Sequence, residues 1–206
     1  MGGSVLSVNV GRAVQVDWSQ DARPTAIDKR PVDGPLPVLF DRFGTDEHGH
    51  SGHGNPDAVV YAYAREDARF WAAELDRDLP PGVFGENLTT SGLPVSGALT
   101  GERWRVGTAL LQVTTPRIPC QTFAAWWRVP DLVRRFTAAG RPGAYLRVLE
   151  PGEIAAGDAV DVVHRPDHGV TVADLMAART GDRSGVARLR GLSLPASWQD
   201  WLASVA

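Results

Sequence analysis

"RWRVGTALLQVT", residues 103–114, holds the pattern that decides the fold class. Trp104 and Val106 alternate with arginines, Gly107-Thr108 follows, and apolar residues then resume in "ALLQV". A period of two predicts strands with one buried face, and a two-residue loop that begins with glycine is typical of a type II′ hairpin turn. The stretch therefore predicts a β-hairpin.

Related patterns occur through much of the chain. "VLSVNVGRAVQVDW" (5–18) places Leu6, Val8 and Val10 in alternation before Gly11-Arg12, and then resumes with a second apolar series, so it predicts another hairpin. Further alternating pieces are "PLPVLF" (35–40), "AYLRVLE" (144–150) and "DAVDVV" (158–163). Many short strands with Gly and Pro at the turns predict a mostly β fold, closed or sandwich-like.

Helical signals are fewer and concentrate near the end of the chain. "VVYAY" (59–63) has strand composition, and we expect a helix over 65–77 to follow it. Thr171 precedes Asp174 by three residues, which is a capping-box pattern, and Gly181 predicts the end of that helix. With a short helix in "GVARLRGL" and a third starting near Ser197, these signals predict a β domain over 1–165 and a small three-helix extension over 166–206.

Composition and charge exclude several classes of function. A net charge of −3 and a pI near 5.9 give no basic surface for nucleic acid or for an anionic membrane. A single cysteine excludes internal disulfides, and no apolar run approaches the roughly 18 residues of a membrane span. We expect a cytoplasmic protein that binds neither nucleic acid nor membrane, and the sequence leaves room for a homodimer.

"TTPRIPC" (114–120) carries the single cysteine, Cys120, at the end of a predicted strand. Pro116 and Pro119 cannot lie inside a central strand, so the strand must end before them. A cation such as Arg117 lowers the pKa of a nearby thiol and favours the thiolate, which attacks electrophiles and binds soft metals. The alternative is a buried and inert cysteine, and local chemistry does not separate the two.

Two other stretches contain polar residues that are suited to binding or catalysis. In "PPGVFGENLTTSGL" (80–93), glycines allow close backbone approach to a ligand, and Glu86 and Asn87 offer hydrogen bonds, although Gly-Glu-Asn is also ordinary turn chemistry. In "DEHGHSGH" (46–53), the histidines have a spacing that resembles the zinc motif of metallo-β-lactamase-like hydrolases. Gly52 stands where that motif has an acidic residue, and only His164 and His168 remain further along to supply other ligands. A polar, solvated loop is therefore the simpler interpretation of His48 and His50.

Six segments, taken in order, are similar to the MOSC domain family, named for the C-terminal domain of molybdenum cofactor sulfurase, and in particular to its stand-alone bacterial YiiM-like branch. No single segment is decisive, but an FGENL block followed some thirty residues later by a strand ending in R-x-P-C is specific. The segments are "TAIDKRPV" (25–32), "GHGNPDAVVYAY" (52–63), "PPGVFGENLTTSGL" (80–93), "GERWRVGTALLQVTTPRIPC" (101–120), "RPGAYLRVLEPGEIAAGDAV" (141–160) and "DHGVTVADL" (167–175).

The resemblance implies a fold, a cofactor and a set of site residues. The fold would be a mostly β, barrel-like domain with a few helices and a three-helix C-terminal extension. The cofactor would be molybdenum cofactor (molybdopterin), with Cys120 as the catalytic residue that ligates molybdenum or carries sulfur. The implied cofactor-binding residues are Lys29, His53, Gly54, Asp57, Glu86, Asn87 and Arg117. Asn55 departs from the family, which has a second glycine there, and this puts close backbone approach in doubt.

Three functions follow from the resemblance. The first is an oxidoreductase that reduces small N-hydroxylated compounds, such as N-hydroxylated bases; a separate electron-donor protein is then needed, because one cysteine cannot hold an iron–sulfur cluster. The second is a sulfur carrier that holds a persulfide on Cys120, with a cysteine desulfurase as the partner that carries pyridoxal phosphate. The third is a cofactor-binding or storage module without turnover.

Overall fold

The structure is a computed structural model that describes residues 2–19, 23–49 and 55–205. Strands and α-helices both occur in this part of the chain. The strands are β1 (Gly2–Gly11), β2 (Lys29–Pro31), β3 (Leu36–Leu39), β4 (Arg42–Phe43), β5 (Val60–Ala64), β6 (Leu88–Ser91), β7 (Arg103–Val106), β8 (Ala109–Thr115), β9 (Ala144–Glu150), β10 (Gly152–Ile154) and β11 (Ala159–His164). The α-helices are α1 (Arg65–Leu75), α2 (Gln121–Trp127), α3 (Leu132–Ala139), α4 (Val172–Thr180), α5 (Val186–Leu189) and α6 (Ala196–Ser204).

The hairpin predicted from residues 103–114 is confirmed as β7 and β8. Trp104 pairs with Leu111 across the two strands, and both side chains are fully buried. Gly107 has a φ of +54°, the positive value that the first loop residue of a type II′ turn requires. Strand β8 ends at Thr115, directly before the predicted stop at Pro116.

Seven strands close into a barrel. Their order around the barrel is β1, β11, β7, β8, β9, β5 and β6, and β6 pairs with β1 to complete the ring. Strands β5 and β6 are parallel, whereas the other neighbours in the ring are antiparallel. Strand β2 pairs with the end of β1, and β10, β3 and β4 form a small second sheet. The mostly β, barrel-like fold expected from the sequence is confirmed.

A β-bulge in β1 changes which of its side chains face the core. The pairing of β1 with β6 shifts register between Val5 and Ser7. Val5 and Val8 are therefore both buried, although they are three residues apart, and Leu6 is 46% exposed. The predicted alternation that placed Leu6 on the buried face is wrong, because the extra residue of the bulge reverses the side-chain direction.

The second predicted hairpin, with its turn at Gly11-Arg12, is also wrong. Gly11 lacks the positive φ of a type II′ turn and instead pairs with Lys29 in β2. A Cβ atom on Gly11 would lie 2.5 Å from the carbonyl oxygen of Ala26, so the glycine serves a close approach between two chain segments. After it, Val14 forms only an isolated bridge within the described residues. This pairing brings Lys29 to the end of the barrel.

Strand β5 is buried on both faces and separates two parts of the core. Alternate residues point in opposite directions in a strand. Ala62 belongs to the core cluster of the barrel strands, whereas Tyr61 and Tyr63 belong to an aromatic cluster with α1, α2 and α3. The predicted strand in "VVYAY" and the helix after it are confirmed, but α2 and α3 were not predicted.

The C-terminal helices begin where the sequence indicates. Thr171 and Asp174 form the predicted capping box at the start of α4, and Gly181 caps its end. Helices α4, α5 and α6 share a small core of their own, while the N–H of Val172 donates to the carbonyl of Ala98 at 2.9 Å in the barrel domain. A boundary between 1–165 and 166–206 remains a prediction. None of the described helices combines the length and apolar character needed to cross a bilayer.

Candidate functional site

A cavity of about 510 Å³ lies at the end of the barrel where β8 ends and β5, β6 and β9 begin. This volume lies within the range of about 300–1,000 Å³ that is usual for small-molecule and cofactor sites. The cavity brings together residues that are far apart in the sequence. Four of the predicted site residues line it, namely Lys29, Asn87, Arg117 and Cys120.

Cys120 lies on the cavity wall between the end of β8 and the start of α2. Its residue is exposed, and its thiol forms no hydrogen bond with the described residues. Cys120 is therefore not buried, and its reactivity remains a prediction. Because Cys120 is the single thiol in the chain, any soft-metal, persulfide or alkylation chemistry of sulfur must occur at this position.

Arg117 is a buried cation without an anionic partner among the described residues. The residue is 9% exposed, and its guanidinium carbon lies 4.6 Å from the ring centroid of Phe123 and 5.4 Å from that of Tyr61. Within the described chain it forms no ion pair and no hydrogen bond through its side chain, and its Nε is buried without a partner. A buried charge is costly unless it is paired. The guanidinium, which offers a fork of donors to phosphate and carboxylate, is thus suited to receive an anionic ligand.

The guanidinium of Arg117 stays protonated although it is buried. Burial alone lowers the pKa of the guanidinium, but the surrounding acidic groups, led by Tyr145 and Tyr61, raise the pKa above its ordinary value. Arginine is protonated under all physiological conditions. The cavity therefore presents a permanent positive charge on Arg117, a residue that precedes Cys120 in the same short segment.

Lys29 and Asp46 form a buried ion pair on the cavity wall. Both carboxylate oxygens of Asp46 accept from Lys29 Nζ at 2.5 Å, and the side chains are 10% and 3% exposed. Burial lowers the pKa of Lys29, opposed by the attraction of Asp46. Asp46 was not predicted as a site residue, because it lies in a polar stretch that resembled a solvated loop.

Glu86 lies behind the cavity wall and organises the turn at 82–86. It is 1% exposed, and its carboxylate accepts from Gly82 N at 2.7 Å, Phe84 N at 3.0 Å and Thr89 Oγ1 at 2.7 Å. Burial raises the pKa of Glu86, and these hydrogen bonds oppose the rise. Glu86 does not line the cavity, and its donors lie in its own segment, so Glu86 supports the site through the backbone of that turn.

Asn87 connects three segments at the cavity. Its Oδ1 accepts from the N–H of Tyr61 at 3.0 Å, and its Nδ2 donates to Asp46 Oδ2 at 2.9 Å and to the carbonyl of Asn9 at 3.3 Å. The amide can both donate and accept, and here it does both. Asn87 thereby holds the loop around Asp46 against the barrel end.

The residues before β5 divide into those that face the cavity and those that do not. His53 and Gly54 lie outside the described residues. Asp57 Oδ1 pairs with Arg147 at 3.0 Å, and Asp57 does not line the cavity. Asn55 lines the cavity with a φ of −102°, which any residue adopts, so the departure from the family glycine strains nothing at this position.

Aromatic residues cover part of the site. Tyr145 lines the cavity, with its ring centroid 4.8 Å from that of Tyr61. Trp198 of α6 also lines it, a contribution of the C-terminal helices that no local sequence signal indicated. Trp126 packs against Trp18, with 5.9 Å between ring centroids.

The described residues contain no cluster of three or more His, Cys, Asp or Glu side chains that could hold a metal ion. His48 lines the cavity, and His50 and His53 lie outside the described residues. Among the described residues of the cavity wall, the sulfur of Cys120 is therefore the soft ligand available to a metal.

Several known proteins are similar to this chain along its length. YflK of Bacillus subtilis is 32% identical over 203 residues, which cover 98% of this chain and 92% of YflK. YiiM of Escherichia coli is 34% identical over 149 residues, which cover 70% of this chain and 66% of YiiM. A protein of Gibberella moniliformis named "Reductase" is 32% identical over 80% of this chain, which spans only 30% of that relative's length.

Solved structures agree with these relationships. The crystal structure of YiiM from Geobacillus stearothermophilus superposes with a TM-score of 0.82 at 29% identity, and 98% of each chain is covered. YiiM from Escherichia coli superposes with a TM-score of 0.76 at 27% identity, over 99% of this chain and 92% of that one. Residues 49–161 match the MOSC domain. The chain therefore belongs to the MOSC domain family, in its stand-alone YiiM-like branch.

Proposed function

We propose that this MOSC protein binds molybdenum cofactor in the barrel-end cavity and reduces small N-hydroxylated compounds, with Cys120 as the molybdenum ligand. The observation that carries the proposal is the buried, unpaired guanidinium of Arg117 on the wall of the same cavity as the single thiol. A cofactor with a phosphate and a soft-leaning metal needs a cation for the phosphate and a thiolate for the metal.

The described residues fit such a cofactor. The cavity of about 510 Å³ is large enough for a cofactor-sized ligand. Arg117 supplies fixed donors for a phosphate, and the Cys120 thiolate is the kind of soft ligand that molybdenum in a sulfur-rich setting takes. When bound, the cofactor would supply two-electron chemistry at the N–O bond. The walls around it, held by Asn87 and the Lys29–Asp46 pair, would fix its orientation.

The overall reaction of the proposed enzyme is balanced by reductant and protons. An N-hydroxylated substrate takes up two electrons and two protons, the N–O bond breaks, and the products are the N–H compound and water. The electrons would come from a separate electron-donor protein, because a chain with one cysteine cannot hold an iron–sulfur cluster. A single free thiol and such a donor suit the cytoplasm, which is part of the proposal.

A second function, sulfur transfer, is favoured by the exposure of Cys120. A persulfide must be reachable by the donor protein that forms it, and the residue is exposed at the cavity. In this case a cysteine desulfurase, which carries the pyridoxal phosphate, would load the thiol. Mass spectrometry after incubation with a desulfurase tests this function: a gain of one sulfur atom on Cys120 supports it, and an unchanged mass contradicts it.

The central experiment measures molybdenum and pterin in protein purified from a host that makes the cofactor. We expect both in the wild type, loss of molybdenum in Cys120→Ser, and loss of pterin in Arg117→Gln. Arg134→Gln is the matched control, since Arg134 is an exposed surface arginine whose ion-pair partner in the described chain is Asp131. A wild type without pterin, or a Cys120→Ser variant with full molybdenum, would contradict the proposal.

Turnover separates an enzyme from a storage protein. Molybdenum-loaded wild type should convert a hydroxylaminopurine to the aminopurine with an artificial reductant. Loaded protein that retains its cofactor and yields no product would favour the storage module, the third function that the family resemblance implies.

A further inference from the structure

Asp46 accepts four hydrogen bonds on the cavity wall. Its two oxygens accept from Lys29 Nζ, its Oδ1 also accepts from the N–H of Gly11 at 2.7 Å, and its Oδ2 from Asn87 Nδ2 at 2.9 Å. A carboxylate has about four lone-pair positions. With 3% of its side chain exposed, Asp46 is saturated by protein donors and has little contact with solvent.

The two buried cations of the cavity, Lys29 and Arg117, differ in whether a carboxylate neutralises them. Lys29 is held by both oxygens of one carboxylate, so the charges of the pair cancel at the wall. Arg117 has aromatic rings around it and no carboxylate partner in the described chain. Of these two buried cations, Lys29 has a carboxylate partner and Arg117 has none among the described residues.

Releasing Lys29 to a ligand would be costly. The ammonium would leave behind a buried carboxylate with only neutral donors, and breaking a buried pair in this way is strongly unfavourable. It would also loosen the junction of three segments, because the same carboxylate holds Gly11 and Asn87. Arg117 can accept an anion without breaking any interaction with the described residues.

We infer that Asp46 holds Lys29 as a structural counter-ion, and that Arg117 is the cation that receives the anionic group of the ligand. Lys29 and Asp46 are then positioning residues: together they join β1, β2 and the loop before β6, and they leave the buried charge of Arg117 without a carboxylate partner in the described chain. The inference rests on the proposed function only in that the ligand carries an anionic group such as phosphate.

Charge-paired substitution tests the assignment, with inorganic phosphate as the probe and the dissociation constant from phosphorus NMR as the measurement. Lys29→Met leaves Asp46 without its cation, and we expect phosphate binding about tenfold or more weaker. In Lys29→Met combined with Asp46→Asn, both charges are removed, and binding should return to within about twofold of wild type. Arg117→Gln should abolish phosphate binding both in the otherwise wild-type chain and in the double variant, while Arg134→Gln should not change phosphate binding.

The double variant decides between the two possible roles of Lys29. If Lys29 itself contacts the anion, the double variant will bind phosphate as weakly as Lys29→Met, and the inference is overturned. Phosphate binding that persists in Arg117→Gln, or a wild type that binds no phosphate, overturns it as well. Pterin content, measured on the same proteins, is a separate readout: its absence would defeat the proposed cofactor while the phosphate results still decide the roles of Lys29 and Arg117.

A second measurement needs no variant that has to fold. Because Lys29 is the only lysine, protein labelled with ¹⁵N-lysine gives one side-chain nitrogen signal. Phosphate on Arg117 changes the electric field at Lys29, so the deciding signal is the coupling across the hydrogen bond between Lys29 Nζ and the Asp46 carboxylate. We expect this coupling to persist at saturating phosphate, since Lys29 stays on Asp46, and its loss during the titration would refute the inference.

Discussion

Gly82, in the turn at 82–86, lies against the backbone of Lys29, and its substitution tests how the cavity wall is built. Gly82 has a φ of +87°, a backbone conformation that L side chains rarely adopt. A Cβ atom there would overlap the carbonyl oxygen of Lys29 and lie 2.9 Å from its carbonyl carbon. The neighbour is backbone, so it cannot rotate away as a flexible side chain would.

The cost of Gly82→Ala can be divided with a matched control. Gly191 also has a φ of +87°, but a Cβ atom on it would meet nothing within 4 Å. A positive φ in a residue with a Cβ costs about 1–2 kcal/mol, and this cost applies to both glycines. Overpacking adds about 1–3 kcal/mol at Gly82 alone. We therefore expect Gly191→Ala to lose about 1–2 kcal/mol of unfolding free energy and Gly82→Ala about 2–5 kcal/mol.

Urea denaturation of both variants measures the difference, and phosphate binding measures its consequence. To relieve the overlap, Lys29 must move away from Gly82, which disturbs its ion pair with Asp46. Gly82→Ala should therefore weaken phosphate binding, whereas Gly191→Ala should not. Equal losses of unfolding free energy in the two variants would refute the argument, because they would show that the contact with Lys29 carries no cost.

Three further predictions concern other parts of the molecule. Thr171→Ala should cost about 1 kcal/mol, since it removes the capping box of α4, and faster amide exchange should be confined to that helix; full protection would contradict this. Glu86→Gln should cost about 1–3 kcal/mol in urea denaturation, because an amide cannot accept from all three donors that the carboxylate satisfies, and unchanged stability would show that the donors find other partners. Trp198→Ala should speed alkylation of Cys120 by a bulky maleimide more than by iodoacetamide, since it opens the cavity wall. The conservative control Trp201→Phe should leave the ratio of the two alkylation rates unchanged. An unchanged ratio in Trp198→Ala would show that the C-terminal helices do not limit access to Cys120.

Several features could be predicted from short stretches because their causes are local. The turn of the hairpin at 103–114 needs a positive φ, which Gly107 supplies. The end of β8 follows from Pro116, which has no N–H for the sheet, and the start of α4 follows from Thr171 and Asp174, three residues apart. In each case the determining atoms lie within a few residues of one another, so the sequence alone contains the full interaction.

The errors occurred where distant segments compete with local preference. Gly11-Arg12 resembles a turn in sequence, but Gly11 instead pairs with Lys29 in the sheet and donates its N–H to the carboxylate of Asp46. Leu6 alternates correctly with Val8, but pairing with β6 inserts a bulge between Val5 and Ser7 and turns Leu6 outward. Local pattern cannot reveal a register shift, because the shift is a property of the pair of strands.

The candidate site divides in the same way. The family resemblance predicted Cys120 and Arg117 as members of one site, and both residues line the same cavity. Which cation remains free for a ligand is a different kind of property, since it depends on whether a carboxylate lies within hydrogen-bond distance. Asp46 is 17 residues from Lys29 in sequence, and the closure of the barrel end brings them together. Backbone sterics and residue type therefore determine turns, strand ends and caps within the sequence, whereas the charge and access of the cavity arise only when the folded chain pairs some groups and leaves others unpaired.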